Sequence, residues 1–196
     1  MTALGFRVKS GYAIAVVLGG SRAAPKAIER RIVELSDPNV AESKQPYHHG
    51  FFKTEEDTRE IARRVGIVKR CAKRSVADLV SQLEREASAE RSRSLRAAMV
   101  VGSLIDPARV GNPHIRAHAH EGRLFRTVLE DTLRAQRVVC DVIVEKQLSA
   151  HASKALGRSP AAITRTVAAF GKTLGGPWRA EEKAAATAAW LALPRS

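Results

Sequence analysis

The chain of 196 residues predicts an α/β fold: a mixed five-stranded sheet, built as a three-strand meander followed by two crossover units, and flanked by helices. Three observations predict it. Two β-compatible runs, "LGFRVKSGYAIAVVL" at 4–18, meet at Ser10-Gly11; "KAIERRIVEL" at 26–35 alternates apolar and charged side chains; and two later apolar runs alternate with segments of helical period.

Taken in order, Ser10-Gly11 is a turn-forming pair between strand-like runs, so the chain opens on a hairpin. After the "GGSRAAP" break, Ile28, Arg30, Ile32 and Glu34 alternate as a third, half-exposed strand. The segment 36–52, "SDPNVAESKQPYHHGFF", has two prolines, a glycine and no period; it predicts a long loop in which Tyr47-His48-His49 is either exposed and polar, the expected case, or a lid over a ligand crevice. Thr54 and Asp57 make a capping-box-like start. Beyond them Ile61, Val65, Val68, Ala72, Val76, Leu79 and Leu83 recur at helical spacing, giving a long amphipathic helix that ends near Ala87. "LRAAMVVGS" at 95–103 predicts a strand buried on both faces. Asn112-Pro113 caps and starts a helix running to about Gln136, and "RVVCDVIVEKQL" at 137–148 supplies the fifth strand. Ser159-Pro160 starts a helix with Ile163, Val167, Phe170 and Leu174 on one side and Gly175-Gly176 after it. An alanine-rich helix from Arg179 to Leu193, with Trp190 near its end, closes a single domain spanning 1–196.

Thirty-three Lys and Arg against twenty Asp and Glu give a net charge of +13, which attracts polyanions. Aromatic residues at 5% argue against a stacking platform for single strands. Cys71 and Cys140 are too few for a disulfide framework, and no apolar run reaches the length of a membrane span. With no signal-peptide order at the N-terminus, the expected location is the cytoplasm. Arg63, Arg70 and Arg74 share one side of the first long helix, where either a nucleic-acid backbone or solvent can lie along them.

The strand and helix order, with "ALGFRVKSGYAIAVV" at the start and "RAEEKAAATAAWLAL" at the end, resembles the ribonuclease H-like superfamily and, within it, bacterial Holliday-junction resolvases. "EGRLFRTVLE" together with "LGGPWRAEEKAAATAAWLAL" is also similar to a widespread group of bacterial proteins that implies no activity. The resolvase resemblance implies carboxylates on the first strand, the fourth strand and the last helix that hold two Mg²⁺ ions. Here Arg7 stands at the first of those places, "AAMVVGS" offers no acid, and Glu181 and Glu182 stand where the last helix would present its first aspartate, with the place of the second near Ala185. The expectation is therefore a rewired crevice rather than a resolvase site.

Candidates for what replaces the acids come from the second helix. On a wheel, Ile115, Gly122, Phe125, Leu129 and Leu133 form its apolar side, and His118 falls on that side with His114 one turn before it and Glu121 three residues after; His120 points elsewhere. A metal held by His114, His118 and Glu121, a metal-free proton-transfer or phosphate-contacting pair, and a hydrogen-bonded capping cluster are three open readings. No metal is assigned, and the cofactor is left open. Beside this cluster the topology brings Arg7, Lys9 and Ser10 from the first strand, Ser103 from the fourth, and Glu182 and Lys183 from the last helix. His118, Glu121, Glu182 and Arg7 are the candidate catalytic residues; Lys9, Ser10, Ser103, His114 and Lys183 are candidate ligand contacts.

The functional expectation is a nucleic-acid-associated protein that binds structured DNA or RNA or acts as a phosphodiesterase with a non-standard site. Two alternatives stand beside it: an enzyme binding a small phosphate or carboxylate, and a non-catalytic interaction protein, as a homodimer, whose crevice is a relic.

Overall fold

A computed structural model describes residues 1–50, 53–86 and 95–195. Five strands form one sheet: β1 (Thr2–Val8), β2 (Tyr12–Gly20), β3 (Pro25–Glu34), β4 (Arg96–Val101) and β5 (Val139–Val144), in the order β3-β2-β1-β4-β5. The meander is antiparallel, with Arg7 opposite Ile14, and β4 and β5 add in parallel on the other side of β1, with Arg7 also opposite Val100. The β1–β2 turn closes through Lys9 N–H donating to the Tyr12 carbonyl at 2.9 Å, and Gly11 has φ +87°, a conformation that only glycine adopts without strain.

The helices are α1 (Thr58–Glu86), α2 (Pro113–Ala135), α3 (Leu148–Leu156), α4 (Pro160–Leu174) and α5 (Ala180–Ala192). Asp57, rather than the Thr54–Asp57 pair, starts α1: its carboxylate accepts from Arg59 N at 2.8 Å, while Thr54 pairs with His48 in an isolated β-bridge. The expected end at Ala87 lies outside the described residues. Asn112 and Ser159 cap α2 and α4 as expected, accepting from Ile115 N and Ala162 N. The fifth strand is shorter than "RVVCDVIVEKQL" suggested. After Val144 the chain makes one 3-10 turn and enters α3, a nine-residue helix whose pattern is too short to stand out.

Strand alternation sorts the core into two layers. Leu4, Phe6 and Val8 of β1 join Met99 and Val101 of β4 under α1 and α2, whereas Ala3 of β1 and Ala98 and Val100 of β4 join the layer under α3, α4 and α5. Trp190 is fully buried in the second layer, its indole N–H donating to the Arg22 carbonyl at 3.0 Å. Arg22 in turn caps the end of α5 by donating to the Leu191 and Leu193 carbonyls.

Helix α5 lies directly on β1 because Gly5 has no side chain. A Cβ at that position would sit 1.9 Å from the Ala185 carbonyl oxygen and 2.2 Å from Ala189 N, both backbone atoms that cannot swing away. Overpacking of this kind costs roughly 1–3 kcal/mol or more. Gly5→Ala is expected to lower Tm by at least about 4 °C in a thermal melt; an unchanged Tm would show that α5 does not rest on β1.

Candidate functional site

A crevice of about 290 Å³ opens beyond the carboxyl ends of β1 and β4, with α2 as one wall. It is lined by Arg7, Lys9, Ser10, Ser103, His118, Arg123 and Arg126, so five of the residues expected to converge do so. Arg7 faces the α5 side of β1 and is buried. Its guanidinium donates to the Val8 carbonyl at 3.1 Å and to Glu145 at 2.7 Å. The other cations hold acids more loosely or in the open: Lys9–Glu181 at 3.6 Å, Arg123–Asp106 at 3.7 Å and Arg126–Glu130 at 3.3 Å.

Four expected members do not line it: His114 and Glu121 lie on α2 beside it, and Glu182 and Lys183 are elsewhere. Glu182 accepts from Arg30 and from the Arg179 backbone N–H, both at 2.8 Å, and so caps α5. Burial pushes its carboxyl up, but Arg30 and the backbone amides outweigh this and hold it below the usual range. Lys183 lines a separate apolar cleft with Leu148, Ile163 and Val167. A pair of hard Mg²⁺ ions does not fit the crevice: Arg7 occupies the β1 position, no residue of β4 is acidic, and Glu182 is committed to Arg30.

The second feature is the first half of α2. Phe125, Leu129 and Leu133 are buried as the wheel expects, but the inward face also takes in Ala117, Glu121, Leu124 and Val128, while Ile115 is 56% exposed and His118 has about half its side chain in solvent, 49%. What covers the inward face is the loop before α1. His48, expected to be exposed, is buried, and its Nδ1 lies 2.6 Å from Glu121 Oε1. Tyr47 stacks on His120 with centroids 4.8 Å apart, which gives His120 its separate direction. Glu121 is completely buried, and burial raises its carboxyl while His118 and the Tyr47 amide pull it back; burial also lowers His48.

The three imidazoles form one group with this carboxylate. His118 Nε2 is 3.2 Å from His114 Nε2, His118 Nδ1 is 3.6 Å from Glu121 Oε2, and the His48 ring centroid is 4.4 Å from that of His118 and 5.1 Å from that of His114. His114, His118 and Glu121 are therefore together as expected, and His48 is the member that sequence reasoning missed. A signal for it was present in α1. Arg64 sits on the apolar stripe, three residues after Ile61 and four before Val68, where a cation must find partners. It is buried and donates to the His48 carbonyl at 2.9 Å and to Glu55 at 2.8 Å, clamping the loop.

Arg63, Arg70 and Arg74 are exposed on α1, where Arg63 pairs with Glu60 at 2.9 Å. Burial pushes the Cys140 thiol up to about 12 and raises Cys71 as well, which keeps both thiols protonated at neutral pH. Among the described residues no helix is long and apolar enough to cross a membrane.

No family model matches the chain, and no curated protein matches it in sequence. Solved structures do. RuvC of Thermus thermophilus in complex with a Holliday junction substrate superposes with a TM-score of 0.54 at 12% identity, covering 97% of this chain and 91% of that one. A second T. thermophilus RuvC structure gives 0.52 at 11% identity, with 97% and 92% covered. At such identity the likeness concerns the fold, and the fold is ribonuclease H-like: a mixed five-stranded sheet flanked by helices.

Proposed function

We propose that the protein binds nucleic acid by seating a phosphodiester backbone in the cationic crevice at the ends of β1 and β4, and that it does not cut that backbone by the two-metal carboxylate route. The observation that carries this reading is the cationic lining: Arg7, Lys9, Arg123 and Arg126 line the crevice. Its volume of about 290 Å³ is at the low end for small-molecule pockets, which favours a phosphate group of a longer chain over a whole metabolite. The +13 charge supplies long-range attraction, and the fold is that of RuvC, a protein whose solved complex holds a Holliday junction. Lys9 and Arg123 are at least one-third exposed and 3.6–3.7 Å from their acids, so exchanging those partners for phosphate costs little. Buried Arg7 keeps Glu145, so its charge is compensated and it shapes the wall of the crevice. Exposed Arg63, Arg70 and Arg74 offer a second basic row along α1.

Branched or duplex DNA is expected to bind at low salt with a slope of log K against log salt steeper than about −3, as for release of several counterions. Lys9→Glu combined with Arg123→Glu is expected to weaken binding at least about tenfold and flatten the slope by about 2. Titration across a salt series checks both, and an unaffected double variant would remove the crevice from the interface. Incubation of the same DNA with Mg²⁺ is expected to yield no cleavage products; Mg²⁺-dependent strand scission by the purified chain would overturn the second half of the proposal.

A further inference from the structure

Beyond the crevice, we propose that His48, His114 and His118 form a binding site for a zinc-class transition metal, with Glu121 orienting the rings and one coordination position left to water or a ligand. One ring nitrogen from each histidine lies within 4.8 Å of the other two, the one such cluster of His, Cys, Asp or Glu found among the described residues. Three neutral imidazoles are the donors of tetrahedral zinc-type sites that keep an open position, and they are poor donors for Mg²⁺ or Ca²⁺, which take oxygen.

The geometry points the same way from three directions. Zinc–nitrogen bonds of about 2.0–2.1 Å at a tetrahedral angle separate donor atoms by about 3.3 Å, and His114 Nε2 and His118 Nε2 already stand 3.2 Å apart. The farthest donor pair has to close by about 1.5 Å at most, a small movement for a surface loop. Next, His48 Nδ1 lies 2.6 Å from Glu121 Oε1, and with the ring proton on that nitrogen the lone pair of Nε2 is free for a metal. Metal-ligating histidines carry this kind of carboxylate partner on their other nitrogen, which fixes tautomer and ring orientation. Finally, His48 Nε2 is buried and has no hydrogen-bond partner, on a side chain only 5% exposed. An unpartnered buried acceptor is costly, and a metal ion supplies what this nitrogen lacks.

The two ligands on α2 are one helical turn apart, so the helix presets them, while His48 arrives from the loop that Arg64 clamps. The ion would thus join the loop to α2. His118 also lines the cationic crevice, which places the site against the surface proposed for phosphate without depending on that proposal.

Zinc uptake by the full-length chain, after chelator treatment and with no nucleic acid present, tests this independently of DNA binding. Titration calorimetry is expected to give one Zn²⁺ per chain, undiminished by excess Mg²⁺, together with a rise in Tm. His118→Ala, at a half-exposed position where folding is not at stake, is expected to weaken zinc at least about tenfold, as is His48→Ala; Glu121→Gln is expected to cost about 10–100-fold. His49→Ala and His151→Ala are expected to bind as the parent does. Cobalt substitution should give the intense visible bands of a tetrahedral site. No uptake by the parent chain, equal uptake by His118→Ala, or weak octahedral-type cobalt bands would each overturn the site.

Discussion

Strand β1 lacks a side chain at Gly5, and α5 fills that space with the backbone of Ala185 and Ala189. Much of the architecture depends on this contact. β1 is the middle of five strands, paired antiparallel to β2 and parallel to β4, so it must be covered on both faces. The α1/α2 layer covers one face with Leu4, Phe6 and Val8 beneath it; the close seat of α5 covers the other. Arg7 lies two residues beyond Gly5 and therefore on the same face, where it clears the helix and reaches across the sheet to Glu145 after β5. A buried guanidinium at that point needs such a partner, because an uncompensated buried charge would cost several kcal/mol.

Helix α2 serves two neighbourhoods at once. Along one side Ala119, Gly122, Arg123 and Arg126 face the crevice; along another Glu121 and His120 meet His48 and Tyr47 of the loop. His118 belongs to both. Glu121 in the completely buried row is expensive, and the short hydrogen bond it shares with His48 offsets that cost. The loop before α1 is thereby tied at two points: Arg64 binds its carbonyls from α1 while Glu121 meets its imidazole from α2.

Much of the fold was legible because its elements carry strong local patterns. The Ser10-Gly11 turn, the Asn112 and Ser159 caps and the doubly buried β4 run are all where their residues place them. Helix α3 was not legible, since nine residues directly after a strand offer barely two turns of period. The site was half legible. His114, His118 and Glu121 share a face by spacing alone, and Phe125, Leu129 and Leu133 of the apolar side are buried as read, but packing also took Leu124 and Val128 inward and left Ile115 and half of His118 in solvent. Glu182 read as a crevice acid because of its place in the chain, and it became the cap of α5 because Arg30 on β3 lies opposite.

The sequence by itself determined the strands and most of the helices, the Asn112 and Ser159 caps, and the excess of positive charge. These properties belong to residues in place or within a few positions of one another, where turn chemistry, side-chain period and composition act directly. Only the tertiary structure decided that His48 meets Glu121 across 73 residues and Arg7 meets Glu145 across 138. Such pairings depend on the path of a loop and the roll of a helix. Both are set by which arrangement satisfies the buried charges and fills the core, and no local period encodes that choice.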